Sequence, residues 1–189
     1  MFVALSAGCA ALPGGGPAPL DTYMLTAPAA SERGRSRSRT QILIAEPVAL
    51  KSLDGENIVV APTPGTVQFL KGAQWGDRLP KLVQARLAET FQRSGRVGGV
   101  GKPGEGLAID YQVTAEIRSF EIDLAGGGRA NVELFVRVLN DRNGVVRAQR
   151  SFTASAPVSG TGNDAYAAAL DRAFGSVATE IVDWTLGAI

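Results

Sequence analysis

The side chains able to do chemistry are few, because the chain of 189 residues carries no histidine and one cysteine, Cys9. Without histidine, imidazole acid/base catalysis, Ser-His-Asp and Cys-His nucleophilic catalysis and His-ligated zinc are excluded together. A lone cysteine likewise excludes an intrachain disulfide, a thiolate metal cluster and a CxxC redox pair. Carboxylates remain. Glu116 and Glu121 lie beside a break in a predicted strand, but nothing in their spacing marks an acid/base pair, and an exposed strand face explains them equally well. The glycine clusters Gly95-Arg-Val-Gly-Gly-Val-Gly101 and Gly126-Gly-Gly128 would cradle phosphate only between a preceding strand and a following helix. The first instead follows a predicted helix, and the second joins two predicted antiparallel strands. Lys and Arg number 19 against 18 Asp and Glu, so the net charge of +1 gives no general pull toward nucleic acid. The chain is read as not an enzyme, with no cofactor, no metal and no nucleic-acid partner.

The Cys9 thiol is the one nucleophile whose surroundings are informative. Met1-Phe-Val-Ala-Leu-Ser-Ala-Gly-Cys9 is a short apolar run ending in small residues, far below the roughly 20 residues needed to cross a bilayer. It reads as the tail of a secretory signal, and Ser6-Ala7-Gly8-Cys9 resembles a bacterial lipobox, whose cysteine takes a diacylglyceryl group and becomes the mature N-terminus. Ser6 stands where an aliphatic residue is usual, and the basic segment expected upstream is missing, which suggests a start codon placed too late or a trimmed sequence. The alternative is a small cysteine buried as a hydrophobe. Against it, the Pro/Gly-rich residues that follow cannot pack regularly and read as a tether. Residues 1–8 are therefore expected to be a partial signal peptide, 9–20 a lipidated flexible tether and 21–189 a single domain. Each acyl chain would contribute about 0.8 kcal/mol per buried CH₂. Arg33, Arg35, Arg37 and Arg39 alternate with small residues, giving either a solvated loop or a contact with anionic headgroups.

The remaining elements follow from periodicity. Asp21 to Thr26 is a short β-like stretch. Gln41 to Leu50 reads as a mostly buried strand with Pro47 at an edge or bulge. Asn57 to Ala61 and Thr66 to Lys71 are short strands around the turn Pro62-Thr-Pro-Gly65. Leu79, Leu82, Val83, Leu87 and Phe91 share one face of a helix, with Asp77 as a candidate cap, Pro80 in the first turn and Gly95 at the stop. From Leu107 to Ile117 apolar residues alternate, and Phe120, Ile122 and Leu124 then hold the opposite phase, which predicts a β-bulge near Arg118 and Ser119. Val132 to Val138 and Val145 to Ala156, joined through Asn143-Gly144, complete an antiparallel meander. Tyr166, Leu170, Phe174, Val177, Ile181 and Trp184 form the stripe of a last helix capped by Asn163 or Asp164, with Gly175 expected at a close backbone contact. The fold class is α+β, an antiparallel or mixed sheet with two amphipathic helices on one face.

Taken in order, Ser6-Ala-Gly-Cys9, Tyr23-Met-Leu-Thr26, Ile42-Leu-Ile-Ala-Glu-Pro47 and the segment Val67-Gln-Phe-Leu-Lys-Gly-Ala-Gln-Trp-Gly-Asp-Arg-Leu79 resemble the auxiliary lipoprotein family of ABC-type transport systems. Its best-known members accompany Pqi-type and mammalian-cell-entry (MCE) lipid-transport machines. The resemblance implies an outer-membrane lipoprotein facing the periplasm in the bacterial envelope, a non-catalytic scaffold or docking component with an MCE-domain protein as partner. A homo-oligomer is left open. The alternative is an envelope lipoprotein that carries lipid or another ligand between sheet and helices, in an apolar cavity of roughly 300 Å³ or more. Phe69 and Trp75 are the candidates for partner contact, since aromatics are enriched at interface hot spots. For Trp75 the competing reading, a cover over the core near Leu79, is equally weighted.

Overall fold

A computed structural model describes residues 19–29, 36–125 and 127–189. Their organising element is β7 (Tyr111–Asp123), a strand of 13 residues that lies in the middle of a nine-stranded mixed sheet. Along one edge it pairs antiparallel with β8 (Arg129–Asn140), and β8 pairs antiparallel with β9 (Val146–Pro157). The ladder shifts between Ile117 and Ser119, where the change of phase predicts a bulge. That shift keeps Val113 and Ile117 before it, and Phe120 and Ile122 after it, buried on the same face.

The other edge of β7 is covered in three pieces by one stretch of chain. β2 (Arg37–Ile44) pairs with residues 111–113, β3 (Val48–Ala49) with 116–117 and β4 (Asn57–Ala61) with 121–123, all parallel to β7. Pro47 separates the first two pieces, because it has no N–H to continue a ladder. The single strand expected from Gln41 to Leu50 is therefore two. Beyond β4 lie β5 (Gln68–Trp75), antiparallel to it, and then β1 (Asp21–Tyr23), parallel to β5. Beyond β2 lies β6 (Val97–Gly101), parallel to it.

Two expectations change here. The first glycine cluster is not a connection leading to a strand; it is the strand β6. A Cβ on Gly98 would stand 2.4 Å from the Ser38 carbonyl oxygen, so the pairing with β2 requires glycine at that point. The start of β2 also takes in Arg37 and Arg39, which are strand residues rather than loop.

Both helices cover one face of the sheet. α1 (Leu79–Arg93) buries Leu79, Leu82, Val83, Leu87 and Phe91, as its spacing predicts, and packs against α2, β2 and β6. Full burial of each such side chain stabilises by roughly 1.5–3 kcal/mol. Arg78 occupies the N-cap position, not Asp77, whose carboxylate accepts the Arg78 N–H at 2.7 Å; Gly95 at φ 61° ends the helix. α2 (Asn163–Ala188) lies across β8 and β9 and reaches β5 and β7. Its N-cap position is Gly162. Asn163 and Asp164, the expected caps, make tertiary bonds instead: the Asn163 amide donates to the Lys71 carbonyl at 3.1 Å, and Asp164 accepts the Tyr23 hydroxyl at 2.6 Å. Gly175 makes no tight contact, since a Cβ there would come no nearer than 3.9 Å to Pro28.

Candidate functional site

The segment entering the domain is held by side chains of both helices. Leu25 is buried in the core. The N–H and hydroxyl of Thr26 each donate to Asp171 at 2.7 Å, and the Arg93 guanidinium donates to the Ala27 carbonyl at 2.8 Å. With Tyr23 on Asp164, these bonds fix residues 21–27 along α2 and the end of α1. Asp164 and Asp171 stand two helical turns apart on one side of α2, which was the available sequence signal for this strap. The Tyr23 phenol is pushed up to about 12, first by its hydrogen bond to Asp164, then by burial and by the charges of Asp164 and Asp21.

The register of β1 sets where the preceding chain arrives. Asp21 pairs with Ala73 and Tyr23 with Trp75, so the chain comes in running parallel to β5, from the side of the β4–β5 turn. That turn stands at the C-terminal end of β7, where Ala61 pairs with Asp123. A cavity of about 520 Å³ opens there, with Ala61, Thr66, Val67, Glu121 and Asp123 in its wall. Burial, followed by the charge of Asp123, raises the pKa of the Glu121 carboxyl from its ordinary value. The hydroxyls of Thr63 and Thr66 bond to each other at 3.1 Å, so neither is aligned on a carboxylate as a nucleophile. Among the described residues no three His, Cys, Asp or Glu side chains gather to hold a metal. Among the described residues the arrangement shows no nucleophile hydrogen-bonded to a base.

Cys9, Arg33 and Arg35 lie outside the described residues. Arg37 and Arg39 are at the N-terminal end of β7, since β2 meets it at Ile42 and Tyr111. At 3.3 Å per residue that end is about 40 Å from the β4–β5 turn. Arg39 lines a cavity of about 330 Å³ with Asp110, Asn140 and Arg142, and Arg142 pairs with Asp110 at 3.6 Å.

The two aromatic candidates part company. Phe69 is 48% exposed, whereas Trp75 is 1% exposed. The reading of Trp75 as a contact residue is corrected: its ring is in the core, edge-on to Phe120 with centroids 5.8 Å apart. Phe120 in turn lies 6.2 Å from Phe174 of α2, and Phe152 of β9 lies 5.3 Å from Trp184. Interlocked rings thus fill the layer between sheet and helices. No helix among the described residues is long and apolar enough to cross a membrane.

A family model described as the ABC-type transport auxiliary lipoprotein component matches residues 23–182, from the strap to the last turns of α2. The chain belongs to this family. An uncharacterised protein of Bradyrhizobium diazoefficiens is 33% identical over 179 residues, which is 93% of this chain and 47% of that protein. The chain thus spans about half the length of the curated relative it matches. A crystal structure of a Xanthomonas campestris protein is similar at 32% identity, covering 88% of this chain and 95% of that one, with a TM-score of 0.81. A hypothetical protein of Chlamydia trachomatis, 12% identical over 79% of this chain and 98% of its own, shares the fold with a TM-score of 0.55. That family is described as an auxiliary lipoprotein component of ABC-type transport. Tyr23, which bonds α2, is the first residue of the match.

Proposed function

We propose that this protein is an accessory lipoprotein of an MCE-type lipid-transport system, held at the periplasmic face of the outer membrane by acyl chains on Cys9 and acting without catalysis as a scaffold or docking module. The observation that carries the reading is the filled layer between sheet and helices. Trp75, Phe120, Phe152 and Phe174 are each no more than 1% exposed, so a lipid entering there would have to displace the rings that hold the two layers together. Losing one such ring costs about 3–5 kcal/mol. A module with such a core acts through its surface. Phe69 is exposed on that surface, whereas Trp75 is buried.

The lipobox-like Ser6-Ala7-Gly8-Cys9 supports the anchor, and membership in a transport-auxiliary family supports the docking role. The test has two arms. Wild-type protein and Cys9→Ala are expressed in the native envelope; the wild type is expected to carry acyl chains on Cys9 by mass spectrometry and to co-purify with the transporter's MCE-domain protein, and the variant to lose both. Lipid extraction from the purified domain is expected to yield no stoichiometric lipid. A bound lipid at one per chain would favour the carrier reading instead, and an unmodified Cys9 in the mature product would remove the anchor.

A further inference from the structure

The two ends of β7 differ in character. At its C-terminal end, Ala61-Pro-Thr-Pro-Gly-Thr-Val-Gln-Phe-Leu70 contains no charged side chain, and residues 63–69 of it are exposed. Val67 is 53% and Phe69 48% exposed there, and Leu124, whose N–H bonds the Ala61 carbonyl at 3.0 Å, is 40% exposed. Leu20, 50% exposed, is the residue just before β1 and arrives on the same side. The turn at the other end, between β8 and β9, also exposes Val145 and Val146, but it carries Asp141 and Arg142, and Arg37 and Arg39 stand near it, so charge is what separates the two ends.

We infer that the end bearing the β4–β5 turn lies against a lipid bilayer, with Val67, Phe69, Leu20 and Leu124 in the headgroup layer. The inference rests on the proposed anchor at Cys9, and the length of chain between that anchor and the domain selects the face. Nine residues separate Cys9 from Pro19, a reach of at most about 35 Å even fully extended. They join the domain on the side of the sheet that bears the uncharged turn, since Asp21 pairs with Ala73 and the chain before it runs back toward the start of β5, and the arginine end lies in the opposite direction along the sheet. A membrane holding Cys9 therefore meets the apolar end first, and Arg37 and Arg39 point away from it. Half-exposed apolar side chains around an uncharged turn suit the interface, where burial scales with apolar area. Asp21, Glu121, Asp123 and Asp164 stand near this end against Lys71, Arg129 and Arg172, a near balance of charge, so the surface it fits is a zwitterionic one.

The single thiol allows a direct test. The full chain is coupled through Cys9 to a maleimide lipid in phosphatidylcholine vesicles, and its amide exchange is compared with that of the same chain capped by a soluble maleimide. Amides of residues 63–69 are expected to exchange at least fivefold more slowly on vesicles, with residues 141–145 unchanged. Val67→Ser with Phe69→Ser should abolish the protection while leaving the thermal melt intact, and adding anionic lipid should not strengthen it. Unchanged exchange at 63–69, protection at 36–40 and 141–145, or protection at 63–69 only when the transport partner is added would each overturn the inference. Because the coupling is chemical, its outcome is separate from whether cells acylate Cys9.

Discussion

Trp75 and Phe120 meet edge to face, their ring planes inclined at 83°. Phe120 also touches Phe174, so one chain of rings joins β5, β7 and α2. Trp75→Ala should lower the unfolding free energy by about 3–5 kcal/mol in urea titrations. Phe69→Ala, at a half-exposed site on the same strand, should cost less than about 1 kcal/mol. Equal midpoints for the two variants would contradict the packing described.

The Tyr23 hydroxyl bound to Asp164 makes a prediction at high pH. Its folded pKa of about 12 exceeds the ordinary value of 10.0. The stabilisation is therefore complete below pH 10 and is lost as pH rises through about 12. Tyr23→Phe should lose about 1 kcal/mol or less at pH 7. Between pH 10 and 12 the difference from wild type should shrink in thermal melts, and a difference that grows would reject the bond.

Glu121 behaves in the opposite way to a salt-bridged carboxylate. Burial and Asp123 raise its pKa, so ionisation at neutral pH opposes folding and protonation relieves the strain on the fold. Glu121→Gln should raise Tm at pH 7, and that gain should fade as the pH falls through the raised value toward the ordinary carboxylate value, where Glu121 is protonated in the fold. Differential scanning calorimetry across pH 3.5 to 7 checks the sign; a variant less stable than wild type at pH 7 would count against it.

Two glycines should respond oppositely to alanine. Gly98→Ala places a Cβ 2.4 Å from the Ser38 carbonyl oxygen, a backbone atom with little room to move, and should cost about 1–3 kcal/mol while loosening β6. Gly175→Ala, in α2 with 3.9 Å of clearance to Pro28, should stabilise by roughly 0.5–1 kcal/mol. Chemical denaturation of the pair measures both.

What could be read along the chain was whatever repeats locally. The stripe from Leu79 to Phe91 and that from Leu170 to Ile181 fall on buried helix faces, and the change of phase after Ile117 falls on the shift in the ladder. The strand Asn57–Ala61 has the bounds its turn residues predict. β6 leaves no period in the sequence because Val97–Gly101 is mostly glycine, with too few side chains to show one, and only the backbone of Ser38 explains why glycine is needed. Trp75 was open between surface and core for a similar reason: its neighbours in the chain suggest a turn, and the ring that covers it comes from β7.

By itself, then, the sequence determined which faces are apolar, the three-stranded meander with its bulge, the absence of histidine chemistry and a thiol set in a lipobox-like context. The tertiary structure decided which distant segments meet. It divided the 37–61 stretch into three strands along a single edge of β7 and tied residues 21–27 to α2 through Asp164 and Asp171. It also set Arg37 and Arg39 at the end of the sheet opposite the β4–β5 turn. Periodicity reports that a face will be covered, because burial follows local spacing; what covers it depends on strand pairing between residues far apart in the chain, which no local window contains.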